Sequence, residues 1–217
     1  MIVLSTQNHV EAATAHITER LREAIDARGR AVLLVSGGSS PRPVFAALSE
    51  TELDWGRVKV GLVDERVEEA GSNARFVRDT LLQGRAAGAT FVCMKSDGAA
   101  YADLVPADVC VMGMGTDGHT ASWFPGTPDL ARATDPGSEA IVIAADTGDS
   151  PGNSGFQHRL TLTLPAVLQS RSLLLYIPGA AKREVFSNRE GLPVDLLTQS
   201  ERLTVITEPD PVGSNHA

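Results

Sequence analysis

The sequence predicts an α/β fold: a mostly parallel, Rossmann-like sheet with helices on both faces, in a single domain spanning residues 1–217. Three observations carry this. Short apolar runs alternate with helical patterns along the whole chain, the signature of strands joined by crossover helices. Several runs, such as Ala31-Val-Leu-Leu-Val35, are apolar throughout, as strands covered on both faces are. Glycine-rich turns follow the runs, and no break in composition marks a second domain.

Taken in order, Asn8 to Arg28 carries Val10, Ala13, Ile17, Leu21, Ala24 and Ile25 at helical spacing. Asn8 with Glu11 resembles a capping box, and Gly29 supplies a stop. After the Ala31–Val35 strand comes Ser36-Gly37-Gly38-Ser39-Ser40-Pro41, leading into a helix with Val44, Phe45 and Leu48 on one face. A strand, a Gly/Ser turn and a helix start can hold an anion on backbone N–H groups and hydroxyls; a plain connecting turn has the same composition. Val58 to Val63 is the next strand, ending in Asp64-Glu65-Arg66. Those charges form either a solvated loop or a site in which Arg66 donates near a ligand and Asp64 meets its hydroxyls. Ser72-Asn73 opens another helical pattern, Ala89 to Met94 reads as a strand, and Asp97 to Leu104 as a short helix.

Val109 to Met112 is then a buried strand, and the chemistry changes abruptly beyond it. The stretch Gly113-Met114-Gly115-Thr116-Asp117-Gly118-His119 places three glycines, an aspartate and a histidine at a strand end, where open α/β sheets bind ligands. The functional reading makes His119 a general base; the bland one is a turn with a structural histidine. Gly126 to Ser138 reads as loop, Ala140 to Ala145 as strand, and Asp146 to Gly155 as a mobile surface loop. Arg159 to Leu164 is a strand, a helix follows Pro165, and Leu173 to Ile177 is a strand ending in Pro178-Gly179. The helix from Ala180 to Asn188 carries Lys182 in its first turn, against the helix dipole, a local conflict expected where function overrides propensity. Leu203 to Thr207 is the last strand, and 208–217 reads as a frayed end.

Composition narrows the partners. A net charge of −8 argues against nucleic acid. It also requires the few basic residues to gather at the site if the ligand is an anion. Cys93 and Cys110 fall in strand-like runs without metal spacing and read as buried free thiols. Neither a secretory leader nor an apolar run of membrane-spanning length is evident, so the expectation is a cytoplasmic protein without a membrane partner. The Gly/Ser turn, the Asp-Glu-Arg end, the His119 loop and the Gly179–Lys182 turn all follow strands, so in a parallel sheet they share one rim.

Together these segments resemble the glucosamine-6-phosphate isomerase/6-phosphogluconolactonase family, on its lactonase side. The resemblance runs in order through Ser36–Pro41, Val63–Arg66 with Ser72-Asn73, Gly113–Ser122 with Phe124-Pro125, Arg159-Leu-Thr-Leu-Thr163 and Gly179–Lys182. The chain departs from the family pattern at Trp123 and Ala74, in the segment Pro151 to His158, and in lacking a C-terminal Trp-x-x-Asp helix.

The resemblance implies hydrolysis of 6-phospho-D-glucono-1,5-lactone, with His119, Asp117 and Arg66 catalytic. Gly37, Gly38, Ser39, Ser40, Asp64, Asn73, Gly115, Arg159 and Lys182 would bind the sugar phosphate, with Arg42 adding charge. It implies no metal and no organic cofactor. The sequence does not give the oligomeric state; a monomer or weak dimer is the expectation. An amino-sugar deaminase, another sugar-phosphate isomerase and a non-catalytic sugar-phosphate sensor remain alternatives. Against the deaminase, Arg66 stands where that family has tyrosine, and Ser122-Trp123-Phe124-Pro125 offers no carboxylate.

Overall fold

The computed structural model describes residues 1–209. Strand β1 (Ile2–Ser5) leads through a short turn into helix α1 (His9–Arg28). The expected capping box is absent. Asn8 adopts φ −90°, ψ 38°, outside the extended region from which a cap side chain reaches back over the first turn, and makes no side-chain cap bond. Its own N–H donates instead to Thr6 Oγ1 at 3.2 Å. The far end follows the sequence: Gly29 sits at φ 73° and its N–H donates to the Ile25 carbonyl at 2.7 Å.

Strand β2 (Ala31–Val35) is buried along its whole length. Helix α2 (Arg42–Ser49) carries the chain to β3 (Val58–Leu62), which pairs parallel with β2. At Val63 the chain changes sheets: its N–H donates to the Val35 carbonyl of the first sheet, while its carbonyl accepts from Leu162 N–H. Asp64–Arg66 is therefore a strand of its own, β4, rather than a charged loop.

Helix α3 (Asn73–Thr80) follows, held at its N-terminus by Glu65, whose carboxylate accepts from the N–H groups of Asn73 at 2.6 Å and Ala74 at 2.8 Å. The strand expected over Ala89–Met94 contracts to β5 (Thr90–Phe91), which leaves Cys93 exposed outside it; only Cys110 is a buried thiol. The helix expected over Asp97–Leu104 is a single 3-10 turn at Ala99–Tyr101.

Strand β6 (Val109–Met112) is again wholly buried. The next segment, expected as loop, contains the short helix α4 (Leu130–Ala133). Strands β7 (Val142–Asp146) and β8 (His158–Leu162) pair antiparallel, and β4 joins the other edge of β8, giving a three-stranded sheet in the order β4-β8-β7. Helix α5 (Leu164–Leu168), β9 (Leu173–Tyr176), α6 (Ala180–Ser187) and β10 (Leu203–Thr207) complete the elements. The seven-stranded parallel sheet runs β1-β10-β9-β6-β2-β3-β5. Beyond Thr207, Glu208 lies 3.4 Å from His9 Nε2, and 210–217, the greater part of the expected frayed end, fall outside the described residues.

The strand order places the site. From β2 the chain builds outward through β3 to β5, then returns to the other side of β2 with β6 and builds outward through β9 and β10. The loops after β2 and β6 therefore leave in opposite directions, opening a crevice at the carboxyl ends of two wholly buried strands.

Gly29 offers a direct check on the helix stop. A Cβ there would be strained at φ 73°, and Gly29→Ala is expected to lower unfolding free energy by about 1 kcal/mol in urea titration. An unchanged midpoint would contradict this.

Candidate functional site

The crevice holds a cavity of about 270 Å³. Its walls bring together Gly37, Gly38, Ser39, Ser40, Asp64, Arg66, Asn73, Gly115, His119, Arg159 and Lys182. Asp117 stands behind them, bonded to His119. Arg42 is not part of the cavity wall; its guanidinium lies over the Phe76 ring at 4.9 Å.

The loop after β6 is folded by its own polar groups. Gly115 N–H donates to the His119 carbonyl at 2.9 Å, and His119 N–H donates to Asp117 Oδ1 at 3.2 Å. These bonds curl the chain so that His119 Nδ1 meets Asp117 Oδ1 at 2.5 Å. Burial alone would push the Asp117 carboxyl up, but the bond to His119 and its charge outweigh this and hold it below the usual carboxylate range. Glycine is required at 115 for space: a Cβ there would stand 2.3 Å from the imidazole. Just beyond, Ala121 adopts φ 51°, rare for a residue with a side chain, and lines the cavity.

Also in the cavity wall, Lys182 donates to Ser40 Oγ at 2.7 Å. Burial alone shifts its ammonium below the ordinary lysine value. A desolvated cation beside a Gly/Ser turn is disposed to receive an anion.

Beneath lies a buried polar network. Asp64 accepts from Ser122 Oγ at 2.8 Å, Arg159 at 3.3 Å and Asn73 Nδ2 at 3.2 Å. Asp64 also lines the cavity. Arg159, only 3% exposed, also donates to the carbonyls of Phe156 and Asn153. Burial draws its guanidinium below the ordinary value; Asp64 offsets part of this and nearby Arg66 adds to it. Arg66 donates to the Gly71 carbonyl, while its Nε and Asp117 Oδ2 are buried without hydrogen-bond partners.

Sequence reasoning missed Thr120, Ala121, Gly152 and Ser154 in the cavity wall. The last two come from the segment expected to be a mobile surface loop. Here it is pinned by buried Asn153, which donates to Thr147 Oγ1 and the Gly148 carbonyl and accepts from Gly155 N–H. Its richness in Gly, Asp and Ser marked a turn, but nothing in it announced that it folds over His119.

Fold and cavity thus define an α/β enzyme in which a Gly/Ser turn, a buried lysine and a carboxylate-bound imidazole share one cavity. A family model described as glucosamine-6-phosphate isomerases/6-phosphogluconolactonase matches residues 5–205, and the chain belongs to that family. It is 41% identical over 195 residues to a 6-phosphogluconolactonase of Rhizobium meliloti (strain 1021), covering 83% of this chain and 82% of the relative. It is 37% identical to the 6-phosphogluconolactonase of a Pseudomonas aeruginosa strain, covering 82% and 79% respectively. Among solved structures, a 6-phosphogluconolactonase from Shewanella baltica OS155 superposes with a TM-score of 0.81 at 34% identity, covering 95% of each chain. No helix among the described residues is long and apolar enough to cross a membrane.

Gly37 tests how tightly the cavity floor is built. A Cβ there would fall 2.0 Å from Asn73 Oδ1, so Gly37→Ala is expected to destabilise the protein by about 1–3 kcal/mol through displacement of the Asn73 side chain. Urea unfolding at the parental midpoint would show that Asn73 yields without cost.

Proposed function

We propose that this cleft hydrolyses 6-phospho-D-glucono-1,5-lactone to 6-phospho-D-gluconate, the second step of the oxidative pentose phosphate pathway, with His119 as general base. The observation that carries this reading is the placement of His119, bonded to Asp117, in the same cavity as the Gly37–Ser40 turn and Lys182. One wall holds an anion, the other a proton acceptor, and a phosphorylated lactone needs both.

The 6-phosphate docks on the N–H groups and hydroxyls of Gly37, Gly38, Ser39 and Ser40, with Lys182 and Arg159 supplying charge. Asp117 accepts from Nδ1–H and so leaves Nε2 as the basic nitrogen. Nε2 takes a proton from water as its oxygen attacks C1 of the lactone. The negative charge that develops on the carbonyl oxygen is met by the guanidinium of Arg66, which lines the same cavity as His119. As the C1–O5 bond breaks, the imidazolium returns the proton to O5, and the new carboxyl group ionises in solvent. Asp64, Asn73 and Gly115 shape the walls: Asp64 and Asn73 through the network under the turn, Gly115 by leaving room for the ring.

Lactone hydrolysis corrected for spontaneous opening is the assay, with ammonia release from glucosamine 6-phosphate followed in parallel; ammonia release without lactone hydrolysis would reverse the reading. His119→Ala is expected to lower kcat by about a hundred- to ten-thousandfold while retaining sugar-phosphate binding. Near-parental turnover would remove the base. The depressed Lys182 ammonium gives a pH signature. Its charge is present at low pH and lost as pH rises through a value below the ordinary lysine range, so kcat/KM is expected to fall there through KM. Lys182→Arg should keep KM flat through that interval; a parental profile in the arginine variant would take Lys182 out of phosphate binding.

A further inference from the structure

The base has a second support that its hydrogen bond does not supply. The bond to Asp117 holds the imidazole along one edge and supports neither of its faces. The Phe124 ring, fully buried, stacks on His119 with centroids 4.1 Å apart and planes inclined by 24°. The chain reaches this position by a tight return: Thr120 and Trp123 form an isolated bridge around Ala121, and Trp123 Nε1 donates to the Leu162 carbonyl at 2.9 Å. Phe124 is itself held, because Arg159 Cζ lies 5.5 Å from its ring centroid. The pair is bounded elsewhere by Gly152, where a Cβ would approach Asp117 Oδ2 to 2.3 Å and His119 Nδ1 to 2.9 Å. Gly152 is fixed in turn because Arg159 donates to the adjacent Asn153 carbonyl.

The geometry points to Phe124 as a positioning residue for the reaction: with the Gly152 backbone it clamps the His119 ring in register with Asp117, and Arg159 ties the two jaws together. This rests on the reading of His119 as base. Phe124 touches no reacting atom; by covering one face of the ring it limits the tilt that would carry Nε2 away from the attacking water. Aromatic stacking prefers a defined offset, so a ring of fixed orientation does this where a flexible aliphatic side chain of similar volume does not.

The test compares Phe124→Leu, Phe124→Tyr and Gly152→Ala with the parent in lactone hydrolysis, with circular dichroism and thermal unfolding measured on each. Phe124→Leu is expected to lower kcat about ten- to a hundredfold with KM changed less than about twofold, since misplacement of a catalytic group is read in kcat. Phe124→Tyr, which restores the ring face, is expected to recover most of the loss. Gly152→Ala, which pushes on the pair from outside the core, is expected to lower kcat in the same way. A folded Phe124→Leu enzyme with parental kcat, a loss confined to KM, or a tyrosine variant no better than leucine would overturn the clamp. Should Phe124→Leu not fold, parental kcat in Gly152→Ala overturns it alone. His119→Ala separates the two claims: if it keeps turnover, the base reading fails; if it loses turnover while Phe124→Leu does not, only the clamp fails.

Discussion

The structure depends on the pairing of β2 with β6. Leu33, Leu34 and Val35 lie opposite Val109, Cys110 and Val111, which brings two strands distant in sequence to the same height. Ser36 fastens their ends: its N–H donates to the Val111 carbonyl at 3.0 Å, and its hydroxyl accepts from Gly113 N–H at 3.3 Å. The Gly/Ser turn and the His119 loop start from that junction. A slip of one residue would turn every side chain to the opposite face and carry both loops out of alignment. Because both strands are wholly buried and apolar, register is set by burial on two faces.

The second sheet serves the site from the side. Where β3 passes into β4, the three charged residues Asp64, Glu65 and Arg66 take separate tasks. Asp64 points into the buried network, Glu65 holds the start of α3, and Arg66 reaches the cavity. Opposite them on β8, Arg159 pairs with Asp64 and ties down the carbonyls of Asn153 and Phe156. A buried ion pair of this kind is weak evidence for stability, since desolvation costs several kcal/mol per ion. Its evident consequence is positional, because it joins three segments around one imidazole. The arrangement also answers the charge problem. In a chain of net charge −8, Arg66, Arg159 and Lys182 are concentrated on a single cavity.

What could be read from the sequence was local. The apolar strands β2, β6 and β9 follow from composition, α1 from its apolar face, and the Gly/Ser turn and His119 loop from a strand end followed by glycine. What could not be read depends on partners far along the chain. Strand β1 offers only the three apolar residues Ile2, Val3 and Leu4, too short a run to reveal a strand by itself, and it is defined by pairing with β10. The three charges of β4 resemble a loop until β8 lies beside them. Gly152 is indistinguishable from any turn glycine until the path of its loop sets it against Asp117. The Asn8 cap failed for a related reason: the turn from β1 fixes a backbone angle that the capping pattern does not encode.

The measurement that bears most directly on this account is a crystal structure with 6-phosphogluconate bound. The phosphate is expected on the Gly37–Ser40 turn within hydrogen-bond reach of Lys182, and the C1 carboxylate beside His119 Nε2 with an oxygen directed toward Arg66. A ligand bound in the reverse sense, with phosphate at His119 and carboxylate at Lys182, or a product seated outside this cavity, would contradict it.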